Sequence, residues 1–164
     1  MDVETPHGPA RAHLHPAVNA RAALILGHGA GGGVGAPDLV AAAEVANSLN
    51  LSVALIEQPY RVAGRRSPPP AAHLDASWTA VTAHLSAVEF AGLPIVTGGR
   101  SSGARVACRT AAATGAVGVL CLAFPLHPPR RRPDAELKTR LPELDAVQVP
   151  VLVVQGRTDR FGMP

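Results

Sequence analysis

Ile95-Val96-Thr97-Gly98-Gly99-Arg100-Ser101-Ser102-Gly103-Ala104-Arg105-Val106-Ala107 is the stretch that decides the fold of this chain. The apolar run Ile95–Thr97 suits a buried strand, and it breaks at paired glycines. The Ala-rich segment Ser102–Ala113 that follows reads as a helix. Between them Gly99-Arg100-Ser101-Ser102-Gly103 fits G-x-S-x-G, a short pattern that gains meaning from standing between a strand and a helix. A serine on so sharp a bend holds a strained backbone, and glycines two residues to either side remove side chains that would collide. Its hydroxyl then stands at the carboxyl end of the sheet, with the positive end of the helix behind it. On this reading Ser101 is a nucleophile and the Ser102 N–H donates to an oxyanion. The plainer alternative is an ordinary strand–turn–helix whose serines only cap the helix.

Upstream, Gly27-His28-Gly29-Ala30-Gly31-Gly32-Gly33 lies between the apolar run Ala23–Leu26 and the helical pattern Pro37–Leu49. A loop of this kind supplies a second oxyanion N–H, from Ala30. Gly29 and Gly31 let the backbone come close, and His28 serves as scaffold. Gly27, Gly29 and Gly32 also fit G-x-G-x-x-G, with Glu57 where a ribose-binding acid stands, so a dinucleotide-binding domain is a competing reading. A histidine inside that fingerprint is unusual, and the serine bend is left unexplained by it. Downstream, Val151–Val154 runs into Gln155-Gly156-Arg157-Thr158-Asp159. In a Ser…Asp…His order, Asp159 is the carboxylate that orients an imidazole. Alone it reads equally as a turn aspartate.

The remaining apolar runs are Val53–Ile56 and Val117–Leu122, and a further helical pattern covers Leu74–Phe90, with a weaker one over Asp134–Leu144. Strands alternating with helices predict an α/β fold, a mostly parallel sheet with helices on both faces. Ala10–His15 alternates weakly and is expected as an antiparallel edge strand or hairpin. No domain boundary is visible, so residues 1–164 are expected to form one domain. Aromatics are 3% of the chain, so the core must be built from Ala, Val, Leu and Ile. A net charge of +3 is too small to argue for nucleic acid. Arg130-Arg131-Arg132 reads as a solvated turn between prolines, with an anionic partner as the alternative. Cys108 and Cys121 show no metal spacing and read as reduced, buried thiols of a cytoplasmic protein. No signal peptide and no membrane span are read. No metal and no cofactor are expected.

Together, Gly27–Gly32, Gly98–Arg105, Phe124-Pro125-Leu126-His127-Pro128-Pro129 and Gln155–Gly162 resemble the α/β-hydrolase superfamily, and within it the small, lidless dienelactone-hydrolase-like branch. The resemblance spans residues 24–162. It implies a serine hydrolase acting on a small-molecule ester or related acyl compound, with Ser101 as nucleophile and Asp159 as the acid. It also implies a further strand and a terminal helix after the acid loop, with the catalytic histidine between them. Only five residues follow Asp159, and none of the seven histidines is among them. His127 is expected as a pocket or structural residue. The chain is therefore expected to be an incomplete domain with negligible esterase turnover. Val151–Val154 is expected as an exposed edge that pairs two copies into a homodimer. A non-catalytic interaction domain of the same fold is the second functional expectation.

Overall fold

The computed structural model describes residues 1–128 and 138–164. The Arg130–Arg132 run and the start of the helix expected from Asp134 lie outside them. The elements are β1 (Asp2–Val3), β2 (Ala10–His15), β3 (Ala22–Gly27), α1 (Pro37–Ser48), β4 (Leu51–Glu57), α2 (Pro59–Val62), α3 (Ala71–Ala87), β5 (Ile95–Arg100), α4 (Ser102–Thr114), β6 (Gly118–Leu122), α5 (Leu141–Asp145) and β7 (Val151–Val154). One sheet holds the strands in the order β1-β2-β4-β3-β5-β6-β7. From β4 to β7 all neighbours are parallel, while β1 and β2 add on antiparallel.

Strand alternation sorts the core into two layers. Leu24, Leu26, Val53 and Leu55 face α1, where Leu39, Ala43 and Ala46 cover them. Ala23, Ile25, Ala54, Ile56 and Ile95 face α3 and α4, meeting Trp78, Val81, Leu85 and Val106. Helices on both faces are thus built from strands apolar on both sides, as the sequence pattern predicts. Cys108 and Cys121 are both buried, with their sulfurs 3.5 Å apart. A bidentate pair joins Arg109 on α4 to Asp75 on α3 at 2.6 and 2.9 Å, and Arg105 and Arg109 both bind Glu143 on α5. Burial pushes the Glu143 carboxyl up, but the two guanidiniums outweigh it and hold it below its ordinary value. Among the described residues no helix is long and apolar enough to cross a membrane.

Several boundaries differ from the sequence reading. Ala10–His15 is antiparallel as expected, yet β1 pairs outside it, so the edge is the short Asp2–Val3. Pro70 precedes α3 with an extended backbone, and the helix starts at Ala71 rather than Leu74. Pro59 occupies the first position of α2, where its missing N–H is not needed. Strand β5 continues through Gly98 and Gly99 to Arg100, because both glycines pair with β3 on one side and β6 on the other.

Strand β7 lies at the other edge. Val151 and Val153 turn toward α4 and α5, whereas Leu152 and Val154 are 63% and 54% exposed on the face α1 does not reach. An uncharged apolar edge invites pairing with another strand. The expected outcome in static light scattering is concentration-dependent self-association that Leu152→Lys diminishes. A monodisperse monomer throughout would contradict it.

Candidate active site

The parallel strands end together on one side of the sheet, and the loops after β3, β5 and β7 meet there. Ser101 sits between β5 and α4 with φ 53 and ψ −107, a conformation that costs a side-chain-bearing residue about 1–3 kcal/mol. Its neighbours hold it in place. The Ser101 N–H donates to Leu122 O at 2.9 Å, and its carbonyl accepts from the Arg105 N–H at 3.2 Å. The bend closes only because no side chains intervene. A Cβ on Gly99 would run into Gly27 O and come within 2.8 Å of the Gly103 carbonyl carbon. A Cβ on Gly103 would run into the Gly27 carbonyl and stand 3.0 Å from His28 O.

This contact presses the first turn of α4 onto the end of β3 and carries the Gly27–Gly33 loop beside Ser101. A Cβ built on Gly29 would lie 3.6 Å from the Ser101 Cβ. Ala30, Gly31, Ser101, Ala123, Asp159 and Phe161 line one open cleft of about 610 Å3, along with Arg100 and Arg160. Of the sequence-derived candidates, the structure therefore brings together Ser101, Ala30, Gly31 and Asp159. Ser102 opens α4, half-buried and outside the cleft lining. Gly31 has open space around it.

His28 is buried, and both ring nitrogens are engaged. The Gln58 N–H donates to Nε2 at 3.1 Å, so Nδ1 carries the proton and donates to Gly29 O at 2.9 Å. The ring thus fixes the loop to the end of β4 and has no nitrogen left for Ser101. Burial holds the imidazole below its ordinary value, since charging it means losing solvent and the Gln58 donor together.

His127, expected as a pocket or structural residue, does not line the cleft. Its N–H donates to Phe161 O at 2.8 Å, its Nδ1 donates to Lys138 O at 2.9 Å, and its ring packs against Gly162. It braces the acid loop from beneath. Asp159 sits in a tight turn in which its own Oδ1 accepts from the Phe161 N–H at 2.8 Å. Gln155 donates from Nε2 to Phe124 O and Gly162 O, both at 3.1 Å, closing the same loop.

Three supports escaped the sequence reading. Tyr60 donates its hydroxyl to Ala30 O at 3.2 Å. Arg100 reaches Asp38 in the first turn of α1 at 2.7 Å. Ala123 takes φ 51 and gives its N–H to Val154 O at 2.9 Å. Only Tyr60, the single tyrosine of the chain, carried a compositional signal. The dinucleotide reading loses its geometry here. Its third glycine should meet a helix, yet Gly32 meets nothing and α1 begins only at Pro37. Glu57, its acid, is paired with His13 at 3.0 Å. Among the described residues no three metal-ligating side chains converge.

The family described as an alpha/beta hydrolase domain matches residues 20–164. Among curated proteins none matches the chain. Solved structures similar to it include XC6422 from Xanthomonas campestris, a serine hydrolase without lid, at 19% identity. That match covers 100% of this chain and 73% of the other, with a TM-score of 0.74. An alpha-beta serine hydrolase homologue from Coxiella burnetii is 15% identical over 98% of this chain and 74% of its own, with a TM-score of 0.80. Est1E from Butyrivibrio proteoclasticus is 16% identical over 98% and 78%, with a TM-score of 0.76. At these identities the likeness is one of fold.

Two measurements test this geometry. Gly103→Ala is expected to cost about 3 kcal/mol or more in urea unfolding, because the added methyl meets backbone that has nowhere to move. His28 titrates near 6.5 when unfolded and lower when folded. Between those values the unfolded chain binds more protons. The contribution of neutral His28 is therefore complete above about pH 6.5 and is lost as pH falls through that value toward the folded one. The urea midpoint should drop across this window in the native chain. His28→Ala should flatten that step while costing about 1–3 kcal/mol for the orphaned Gln58 N–H.

Proposed function

This chain belongs to the alpha/beta hydrolase domain family, and we propose that within it the Ser101 cleft is the site of a serine hydrolase for small esters or related acyl compounds. The observation that carries the reading is the strained φ of 53 at Ser101, held over a cleft it shares with Ala30 and Asp159. Ser101 Oγ attacks the acyl carbon. The Ala30 and Ser102 N–H groups hold the oxyanion, and loss of one such donor costs roughly 2.7–4 kcal/mol at the transition state. Asp159 orients an imidazole that takes the serine proton and passes it to the leaving group. The reaction needs no metal or cofactor. The open cleft favours small or polymeric acyl groups over long lipids. The buried thiols fit a reducing, cytoplasmic compartment.

Among the described residues no histidine lines the cleft, and His28 and His127 are both engaged elsewhere. The second reading is a hydrolase-like interaction domain that binds without turning over. The two separate by experiment. Negligible p-nitrophenyl acetate turnover is expected from these residues alone. Added imidazole should raise it above the rate of imidazole without protein in the native chain and not in Ser101→Ala, and a fluorophosphonate probe should then label the Ser101 peptide. Equal rates in both proteins, with no label at Ser101, would leave only the binding module.

A further inference from the structure

Cys108 on α4 and Cys121 on β6 take no part in the Ser101 cleft, yet their sulfurs stand 3.5 Å apart, within reach of a thiol–thiol hydrogen bond. A disulfide needs about 2.0 Å between sulfurs, so a closure of about 1.5 Å, shared between the two side chains, joins them. The two thiols are unequally placed. Cys121 is 0% exposed and packs with Ala104, Val119 and Phe124. Cys108 is 4% exposed and lines an open groove of about 540 Å3 between α4 and α5. Its neighbours in that lining include Ala111, Ala112, Gly115 and Ala116, all small. The hydrogen bond from Cys121 holds the Cys108 thiol below its ordinary value, against burial and the Glu143 carboxylate. The same bond, with burial, pushes the Cys121 thiol up. Cys108 is therefore the sulfur that ionises first, and it is also the one on the groove.

We infer that Cys108 and Cys121 are a disulfide-forming site, oxidised by hydrogen peroxide that enters from the α4–α5 groove. The Cys108 thiolate attacks one peroxide oxygen, the O–O bond breaks, and the departing hydroxide leaves as water with the proton Cys108 gave up. Cys108 now carries a sulfenic acid, and its negative charge is gone. The Cys121 sulfur attacks the Cys108 sulfur, the S–O bond breaks, and the hydroxyl leaves as water with the Cys121 proton. Two thiols are oxidised to one disulfide, and one peroxide is reduced to two waters. The bond ties α4 to β6. Ser101 stands at the head of α4, and Leu122, next to Cys121, accepts the Ser101 N–H at 2.9 Å. Oxidation thus closes a covalent link behind the bend at Ser101. The inference stands independently of the hydrolase reading, since neither sulfur lines that cleft.

Hydrogen peroxide added to the folded, reduced chain tests the assignment. After quenching, the protein is unfolded, treated with N-ethylmaleimide and mapped by mass spectrometry without reductant. Expected are no maleimide on either cysteine, a linked Cys108–Cys121 peptide lighter by two hydrogens, and recovery of both thiols with dithiothreitol. The oxidised chain should unfold in urea at a midpoint about 1–2 M higher, because the bond restrains the unfolded chain. Cys121→Ser keeps a hydrogen-bond donor beside Cys108, so peroxide should leave a sulfenic acid there that dimedone captures. Cys108→Ala should leave Cys121 uncaptured. Both cysteines taking maleimide after peroxide, a disulfide only between chains, a lowered urea midpoint, or dimedone on Cys121 instead would each overturn it. If the variants do not fold, the peptide map and the urea midpoint of the native chain still decide.

Discussion

Three glycines meeting backbone to backbone hold this molecule in its functional shape. Gly99 and Gly103 lie against the Gly27 carbonyl so closely that a single methyl at either position would enter it. That contact fixes the distance between the end of β3 and the start of α4. It thereby decides two things at once. It forces the chain at Ser101 into positive φ, and it lays the Gly27–Gly33 loop alongside the hydroxyl. Neither a better core nor a stronger helix would substitute, since the constraint is steric and local. The fully buried Trp78 adds to it, standing 3.0 Å from where a Cβ on Gly27 would be.

Around this contact the supports divide into two independent braces. On one side, His28 and Tyr60 tie the glycine loop to the end of β4 and to α2, through one buried ring and one hydroxyl. On the other, His127 and Gln155 tie the acid loop to the segment after β6. His28 and His127 are thus both occupied in holding loops. Both ring nitrogens of His28 and Nδ1 of His127 bond to backbone partners.

Much of the fold was legible because it rests on periodicity. Runs such as Ala23–Leu26 and Val53–Ile56, apolar on both faces, must be sandwiched, and the Gly99–Gly103 pattern marks the bend. Element ends were less legible. Pro59 opens the short α2 and Pro70 stands just before α3, since proline suits both a loop and a helix entrance and tertiary packing chooses. Within the site, Ser101, Ala30 and Asp159 share a cleft, as their positions after strand ends suggest. The Arg100–Asp38 pair and the positive φ of Ala123 had no sequence signal. They arise from contacts between residues far apart in the chain, and Ala is the last residue one would choose for that conformation.

Ala123 shows how the sheet passes order from one loop to the next. The last residue of β6, Leu122, gives its carbonyl to the Ser101 N–H, and the last residue of β7, Val154, gives its carbonyl to the Ala123 N–H. Each loop is therefore anchored by the final carbonyl of the strand beyond it. Reading the chain of bonds backward, β7 holds Ala123 at φ 51, Ala123 fixes the exit of β6, and β6 holds Ser101 at φ 53. Strained backbone persists only where its surroundings over-determine it. Two strained residues in adjacent loops, each closed by the neighbouring strand, make the geometry of Ser101 a property of three strands rather than of its own turn. The exposed edge strand β7 is consequently part of the support of Ser101, and its pairing with β6 matters to the cleft even though half of its side chains face solvent.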